Sequence, residues 1–147
     1  MRRNVLCLLG CCWMTFQLQA SELNWLTSVP EAQALAQKES KLVLLDFTGS
    51  DWCPTCKLLD EDVFSKKEFS DYAKQNLVLV QVDFPAQKKQ AAALVRANDA
   101  LQEKYKIIGF PTLVVLKPDG KVVWNKPGYV EGGPKAVIAI LNELKKK

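Results

Sequence analysis

Two continuous apolar runs, at residues 41–47 and 77–83, are the clearest pattern of hydrophobic and polar positions along the chain. Each run holds few polar residues, which is typical of a strand that is buried on both faces of a parallel sheet. Two shorter apolar runs, at 112–116 and 121–124, lie on either side of the turn residues 118–120. They predict an antiparallel hairpin. The pattern therefore predicts four strands, of which the last two are joined by a turn.

The segments between these runs carry apolar residues at helical spacing or consist largely of good helix formers. Helices are predicted at 25–40, from residue 53 onward, at 69–75, at 86–105 and at 135–147. Ser28 is the predicted N-cap of the first helix, and the fourth could be interrupted at 98–99. Parallel strands followed by a hairpin predict an α/β fold, with a central mixed β-sheet and helices on both faces. The chain of 147 residues shows no repeat or linker, so one domain is expected.

The first twenty residues differ in composition from the rest of the chain. Arg2 and Arg3 give a basic start, and residues 5–16 are free of charge and mostly apolar. This is the layout of a secretory signal peptide, with cleavage expected after Ala20. The apolar run of about twelve residues is shorter than the roughly 20 that a membrane-spanning helix needs. We therefore expect residues 1–20 to be a signal peptide and the protein to be exported.

A second exported form stays open because residues 8–11, Leu-Leu-Gly-Cys, resemble the bacterial lipobox. In that form Cys11 would be lipidated, would become the new N-terminus and would anchor the protein to a membrane. We treat it as the minority alternative, because the apolar stretch before Gly10 is short. Cleavage after Ala20 instead leaves a mature domain at 21–147 that keeps two of the five cysteines.

The net charge and the absence of histidine exclude several classes of function for this chain. Of the 20 basic residues, 18 remain when Arg2 and Arg3 are lost with the leader, against 16 acidic residues. This small excess predicts no nucleic-acid binding. The chain contains no histidine, which excludes histidine metal ligands, Cys–His nucleophile pairs and Ser-His-Asp triads. A hydrophobic share of 48% and a charged share of 24% are those of an ordinary globular protein.

The strongest chemical motif is the pair Cys53 and Cys56, which follows a predicted strand and opens a predicted helix. A helix N-terminus favours negative charge, so we expect Cys53 to have a lowered pKa and to act as the nucleophile. Cys56, one turn further on, is expected to resolve the mixed disulfide. Zinc would require further Cys or His ligands, which the mature chain lacks, so no metal site is expected. A permanently closed structural disulfide is the remaining alternative, although so short a loop constrains the unfolded chain little.

Four segments, in this order, resemble the thioredoxin superfamily. They are the strand residues 44–47, the motif Trp-Cys-Pro-Thr-Cys-Lys at 52–57, Gly-Phe-Pro-Thr at 109–112 and the turn Pro-Asp-Gly at 118–120. Together with the leader, they are similar to exported bacterial members, including the periplasmic disulfide-reductase domain of the transmembrane electron transporter family. The resemblance implies a thioredoxin-like fold for residues 21–147, a periplasmic location and thiol–disulfide exchange with protein disulfides. It implies no cofactor beyond the two cysteines.

The resemblance also implies a substrate-binding surface beside the cysteines. Pro111 would be cis, so that the backbone of Phe110 lies beside Cys53 and pairs with an extended substrate segment. Trp52 would shield the disulfide and offer an aromatic contact surface.

Asp46 is an acid inside an apolar strand, a costly position unless the side chain has a partner or a task. In thioredoxins a buried acid near the second cysteine accepts a proton during exchange, which implies that role for Asp46. One extra residue separates Asp46 from Cys53 compared with the common thioredoxin pattern. The alternatives are a salt bridge, for instance with Lys57, and an outward orientation at the strand end.

The residues between the cysteines favour one direction of electron flow without fixing the reduction potential. Pro54 and Thr55 lack the histidine of strongly oxidising relatives, so we expect a reductase or isomerase rather than an oxidant. A reductase outside the cytoplasm needs an electron donor, for which a membrane electron-transfer protein is the hypothesis, and we expect a monomer. The rival class is a binding module without redox turnover, either a Cu(I) metallochaperone or an assembly factor. The stretch 84–106, longer than in a minimal thioredoxin, is interpreted as scaffold rather than as a determinant of partner choice.

Overall fold

Two parallel strands, β2 (Leu42–Thr48) and β3 (Leu77–Asp83), form the centre of the fold. The computed structural model describes residues 23–146 and pairs these strands along their whole length, as predicted. Both consist almost entirely of apolar side chains, because helices cover both faces of the sheet. The predictions for the leader, namely cleavage after Ala20 and the alternative of lipidation at Cys11, lie outside the described residues.

Three further strands complete a mixed sheet of five within residues 23–146. They are β1 (Trp25–Leu26), β4 (Thr112–Leu116) and β5 (Val122–Pro127), and the order across the sheet is β1-β3-β2-β4-β5. β1 is parallel to β3, β4 is antiparallel to β2, and β5 is antiparallel to β4. The predicted hairpin and the predicted mixed sheet are therefore confirmed.

Helices pack on both faces of this sheet. They are α1 (Val29–Glu39), α2 (Pro54–Leu59), α3 (Lys67–Asn76), α4 (Ala92–Lys104) and α5 (Gly133–Lys145), with a π-helical turn at Asp60–Phe64 directly after α2. One apolar core lies between the sheet and α2, α3 and α5, and the other lies between the sheet and α1. The predicted α/β architecture is confirmed. None of the helices in the described part of the chain combines the length and the apolar character that a membrane span requires.

The prediction of a helix from residue 25 is wrong at its N-terminal end. Trp25 and Leu26 form β1 and pair with Leu79 and Val80 at the edge of the sheet. The helix begins only after Ser28, which is its N-cap as predicted and accepts the Glu31 N–H at 3.3 Å. Pairing with β3 therefore overrides the local helical pattern in these first residues.

The prediction of a helix over 86–105 is wrong in its first third. The segment 84–91 is irregular, and α4 begins at Ala92 and runs through 98–99 without a break. The backbone N–H groups of residues 86–88 all donate to the Asp51 carboxylate. A specific tertiary contact has replaced the helix that the composition favours.

Candidate active site

The two cysteines are joined in a disulfide at the N-terminus of α2. Their Cα atoms lie 5.3 Å apart, and both residues are buried. Cys53 is the N-cap of α2, and its sulfur accepts the backbone N–H of Cys56 at 3.2 Å. Pro54 occupies the first helical turn, where its missing N–H costs no hydrogen bond. As N-cap, the Cys53 sulfur lies at the positive end of the helix dipole, where negative charge is favoured.

The turn that carries Cys53 is fixed by hydrogen bonds to its own backbone and to the end of β3. The Cys53 N–H donates to the Gly49 carbonyl oxygen at 2.9 Å. Ser50 donates from its N–H and from its hydroxyl to the two oxygens of Asp83, at 2.9 and 2.6 Å. Residue 49 must be glycine in this arrangement, because a Cβ there would lie 2.5 Å from the indole of Trp52. The turn is therefore held at both its start and its middle.

Three aromatic side chains, Trp52, Phe84 and Phe110, form a cluster that we call the aromatic cluster, and Trp52 directly precedes Cys53 in the chain. The Trp52 indole N–H donates to the Phe84 carbonyl oxygen at 2.8 Å, while 47% of the residue stays exposed. The Phe84 ring stacks on Phe110 at 5.0 Å between centroids, and Trp52 meets Phe110 edge-on at 6.0 Å. The structure thus brings together Trp52 and Phe110, two of the residues that the sequence predicts for substrate binding.

The third predicted substrate-binding residue, Pro111, is buried and follows Phe110 through a cis peptide bond. It lies directly before β4. Ile108, two residues before Phe110, is 93% exposed and is the most exposed large apolar residue of the described chain. The connection before β4 therefore presents apolar surface to solvent next to the aromatic cluster.

Asp46 is buried in the middle of β2, with 5% of the residue exposed. Its Oδ1 has no hydrogen-bond partner among the described residues. Burial, the nearby charge of Asp60 and that of Asp83 together raise the pKa of the Asp46 carboxyl to about 7. Neither alternative for Asp46 is observed: the side chain is not turned outward, and the Lys57 ammonium donates instead to the Asp51 carbonyl oxygen at 3.0 Å.

A cavity of about 190 Å³ connects Asp46 with the second cysteine. Its lining includes Asp46, Cys56, Asp60 and Lys57. Asp60 directly follows α2 as its C-cap, and burial, followed by the charge of Glu61, raises the pKa of its carboxyl. Two carboxyl groups that share one poorly solvated space cannot both ionise easily, so the cavity favours at least one bound proton near neutral pH.

Sequence reasoning missed four residues that shape this site: Asp51, Asp60, Asp83 and Phe84. Asp60 could have been noticed, because it lies one helical turn after Cys56 and therefore on the same face of the helix. Asp51 lies in a turn, Asp83 ends β3 and Phe84 follows it, and nothing in their local sequence indicates which distant residues they contact.

A family model described as a thioredoxin-like domain matches residues 29–145. Among curated proteins, the disulfide bond reductase DsbH of Chlamydia pneumoniae is 34% identical over 125 residues, which cover 85% of this chain and 74% of that protein. The thiol:disulfide interchange protein DsbD of Pectobacterium atrosepticum is 30% identical over 115 residues. That match covers 74% of this chain but only 18% of the larger DsbD.

Solved structures show the same similarity. A DsbH oxidoreductase superposes with a TM-score of 0.79 at 31% identity, covering 93% of this chain and 94% of its own. A thioredoxin from Thermus thermophilus superposes with a TM-score of 0.60 at 26% identity, covering 86% of this chain and 87% of its own. The α/β sheet described above is therefore the thioredoxin-like fold.

Proposed function

This chain belongs to the thioredoxin-like family and is a thiol–disulfide oxidoreductase, and we propose that it works as a reductase or isomerase of protein disulfides. The observation that carries the proposal is the Cys53–Cys56 disulfide at the N-terminus of α2, with the Cys53 sulfur accepting the Cys56 N–H. Its relative DsbH is named a disulfide bond reductase.

Two features support the reducing direction. The residues between the cysteines are Pro54 and Thr55, so no imidazolium stabilises a thiolate there. The carboxyl groups of Asp46 and Asp60 line the same cavity as Cys56, and a negative charge on either of them disfavours a thiolate there. A strong oxidant of this family has a high reduction potential because its reduced form is stabilised. The two features described here do not stabilise the reduced form, so they favour a reductant.

In the proposed reaction, the reduced Cys53 thiolate attacks one sulfur of a partner's disulfide and releases the other partner sulfur as a thiolate. The Cys56 thiol then loses its proton and attacks the Cys53 sulfur. This step releases the second partner thiolate and leaves the Cys53–Cys56 disulfide. Two electrons pass to the partner, whose disulfide is reduced, and the cysteine pair is oxidised.

Asp46 is proposed to accept the proton of Cys56 in the second step. Both side chains line one cavity, and a carboxyl with a pKa of about 7 can take up and release a proton near neutral pH. Trp52, Phe110 and Pro111 are proposed to receive the partner's segment around its disulfide. The exposed indole and the apolar connection before β4 suit such a contact.

For repeated turnover, the Cys53–Cys56 disulfide must be reduced by another dithiol. We propose a membrane electron-transfer protein as the donor and a monomeric protein in the periplasm, on the basis of the signal-like leader at 1–20 and of the related DsbD domains. The thioredoxin-like domain would then occupy residues 21–147.

The test of the proposed direction is the reduction potential of the Cys53–Cys56 pair in the purified protein, equilibrated with glutathione. A value near thioredoxin's, roughly −270 mV, supports a reductase. A value near roughly −120 mV would overturn it in favour of an oxidant. Tight binding of Cu(I) by the reduced protein, without disulfide turnover, would instead favour a metallochaperone.

A further inference from the structure

The carboxylate of Asp51 ties the turn before Cys53 to the irregular segment 84–91. Its Oδ1 accepts the Ala86 N–H at 2.9 Å, and its Oδ2 accepts the N–H groups of Gln87 and Lys88 at 2.8 and 3.0 Å. Three successive backbone N–H groups that converge on one acceptor form a concave anion site. In this chain the anion is a side chain 35 residues earlier in sequence.

The contacts around Asp51 extend to the aromatic cluster. Phe84 lies two residues before the N–H groups that Asp51 holds, and its carbonyl oxygen accepts the Trp52 indole N–H. The Phe84 ring stacks on Phe110, which precedes the cis bond to Pro111. Segment 84–88 thus carries both the Phe84 ring, which stacks on Phe110, and the carbonyl oxygen that accepts the Trp52 indole N–H.

Segment 84–91 is also tied to the fold from its other side. The Asp83 carbonyl oxygen accepts the side-chain amides of Gln90 and Asn98, at 3.2 and 2.9 Å. Asn98 is buried in α4, so these bonds fix the end of β3 and the start of the segment but do not reach residues 86–88. Asp51 holds the middle of the segment against the turn, together with the Lys88 ammonium, which donates to the Ser50 hydroxyl at 3.4 Å.

We propose that Asp51 is a positioning residue for the recognition of protein partners. By fixing residues 86–88 it holds the chain directly after Phe84, whose carbonyl oxygen orients the Trp52 indole and whose ring stacks on Phe110. The partner is an extended segment with an apolar side chain close to its disulfide. The inference rests on the proposed thiol–disulfide exchange with proteins, and it assigns partner choice to a segment that the sequence alone suggests is scaffold.

The chemistry of the partner follows from the exposed surface. Trp52, which meets Phe110 edge-on and is 47% exposed, and Ile108, which lies two residues before Phe110 and is 93% exposed, both present apolar area to solvent. A partner sulfur that bonds to Cys53 brings its flanking residues over this area, so apolar flanking side chains would be desolvated there. A small disulfide lacks such flanking residues and would not use the aromatic cluster.

Asp51 carries a negative charge close to Cys53, so its geometric role must be separated from its charge. The three backbone N–H groups, led by that of Ala86, hold the pKa of the Asp51 carboxyl at about 2, so that it is ionised at neutral pH. Asp51→Asn keeps the shape but replaces one accepting oxygen by an NH₂ group, which cannot accept an N–H. Asp51→Glu keeps the charge but moves the carboxylate by one methylene group. Asp99→Asn, on the exposed side of α4, is the control for loss of one charge.

The experiment compares kcat/KM for the reduction of insulin disulfides and of oxidised glutathione in these variants. For both Asp51 variants we expect the KM for insulin to rise and the insulin-to-glutathione ratio of kcat/KM to fall about tenfold, equivalent to about 1.4 kcal/mol. Asp99→Asn should keep the wild-type ratio. Hydrogen exchange at the backbone N–H groups of residues 86–88 and at the Trp52 indole N–H should accelerate in both Asp51 variants. A general loss of stability would instead accelerate exchange throughout the protein.

Three other outcomes would each contradict one part of the proposal. A wild-type ratio in both Asp51 variants would show that Asp51 does not position the partner surface. A changed ratio in Asp51→Asn with a wild-type ratio in Asp51→Glu would show a role of charge instead of geometry. If the wild-type protein reduces oxidised glutathione but not insulin disulfides, the proposal that its substrates are proteins is wrong. The role of Asp51 in partner recognition would then be wrong as well.

Discussion

The sulfur of Cys53 accepts the backbone N–H of Cys56 at 3.2 Å, so the residue that caps α2 is also one half of the disulfide. Capping places this sulfur at the positive end of the helix dipole, where a thiolate is favoured over a thiol. Cys56 lies one turn further on and lines the cavity that contains Asp46 and Asp60. The two sulfurs therefore have different surroundings, which is the basis for assigning them different steps.

The first prediction concerns the separate steps of the two cysteines. Cys53→Ser should abolish reduction of insulin, because the nucleophile is lost. Cys56→Ser should accumulate a mixed disulfide between Cys53 and the partner, because nothing resolves it. Non-reducing gel electrophoresis followed by mass spectrometry detects the trapped species. Exchange that persists in Cys53→Ser would contradict the assignment of the nucleophile.

The second prediction concerns the stability of the oxidised protein as a function of pH. Because the pKa of Asp46 is raised to about 7 in the folded state, folding favours its protonated form. The stability associated with this proton is fully present below about pH 4, the unfolded pKa, and is lost as the pH rises to about 7. The free energy of unfolding should therefore fall over this range by an amount on the order of 4 kcal/mol at most.

Urea unfolding at several pH values between 4 and 8 measures this effect. Asp46→Asn should remove the pH-dependent loss and should be more stable than the wild-type protein above pH 7, because no buried charge forms. Asp99→Asn, with its exposed side chain, should retain the wild-type pH dependence. An unchanged pH dependence in Asp46→Asn would show that the raised pKa is not that of Asp46.

The third prediction concerns the pH dependence of catalysis. If Asp46 accepts the proton of Cys56, the rate of resolution should show an inflection near pH 7. Asp60→Asn removes a neighbouring negative charge, so the pKa of Asp46 should fall and the inflection should move to lower pH. Stopped-flow measurement of the rate at which the reduced protein is oxidised by a protein disulfide tests both expectations. The same inflection in wild type and in Asp46→Asn would contradict the proposed proton acceptor.

The fourth prediction concerns Gly49. In Gly49→Ala the new Cβ would lie 2.5 Å from the Trp52 indole, so the ring must move and its hydrogen bond to Phe84 should weaken. We expect a destabilisation of about 1–3 kcal/mol, the usual cost of overpacking. Thermal unfolding measures it, and the Trp52 indole N–H signal in NMR reports the displaced ring. Gly109→Ala is the matched control for stability, because no atom lies within 4 Å of its new Cβ.

The central strands show how much of this fold is encoded locally. The apolar runs at 41–47 and 77–83 predict β2 and β3 to within one residue. A strand buried on both faces must be hydrophobic at nearly every position, so its composition reveals its place. The cysteine pair and the hairpin are equally local, since each depends on residues a few positions apart.

The edge strand and the segment before α4 could not be predicted in this way. β1 has only two residues, too few for any period, and exists because Trp25 and Leu26 meet the edge of β3. Residues 86–91 favour a helix by composition, yet the carboxylate of Asp51 takes up the N–H groups of 86–88. Both outcomes depend on contacts between residues far apart in sequence.

Some features of the candidate site are likewise determined by local sequence, and others depend on the fold. The sequence by itself determined the two cysteines, the proline before β4 and an acid in an apolar strand. Only the tertiary structure brought Asp60 and Asp83 close enough to that acid, Asp46, for their charges to raise its pKa. The tertiary structure also placed Asp46 and Cys56 in the lining of one cavity. It also brought the Phe84 carbonyl oxygen within hydrogen-bond distance of the Trp52 indole N–H. Desolvation and the interaction between charges depend on separation in space rather than along the chain, so the chemistry of the site could be read only from the fold.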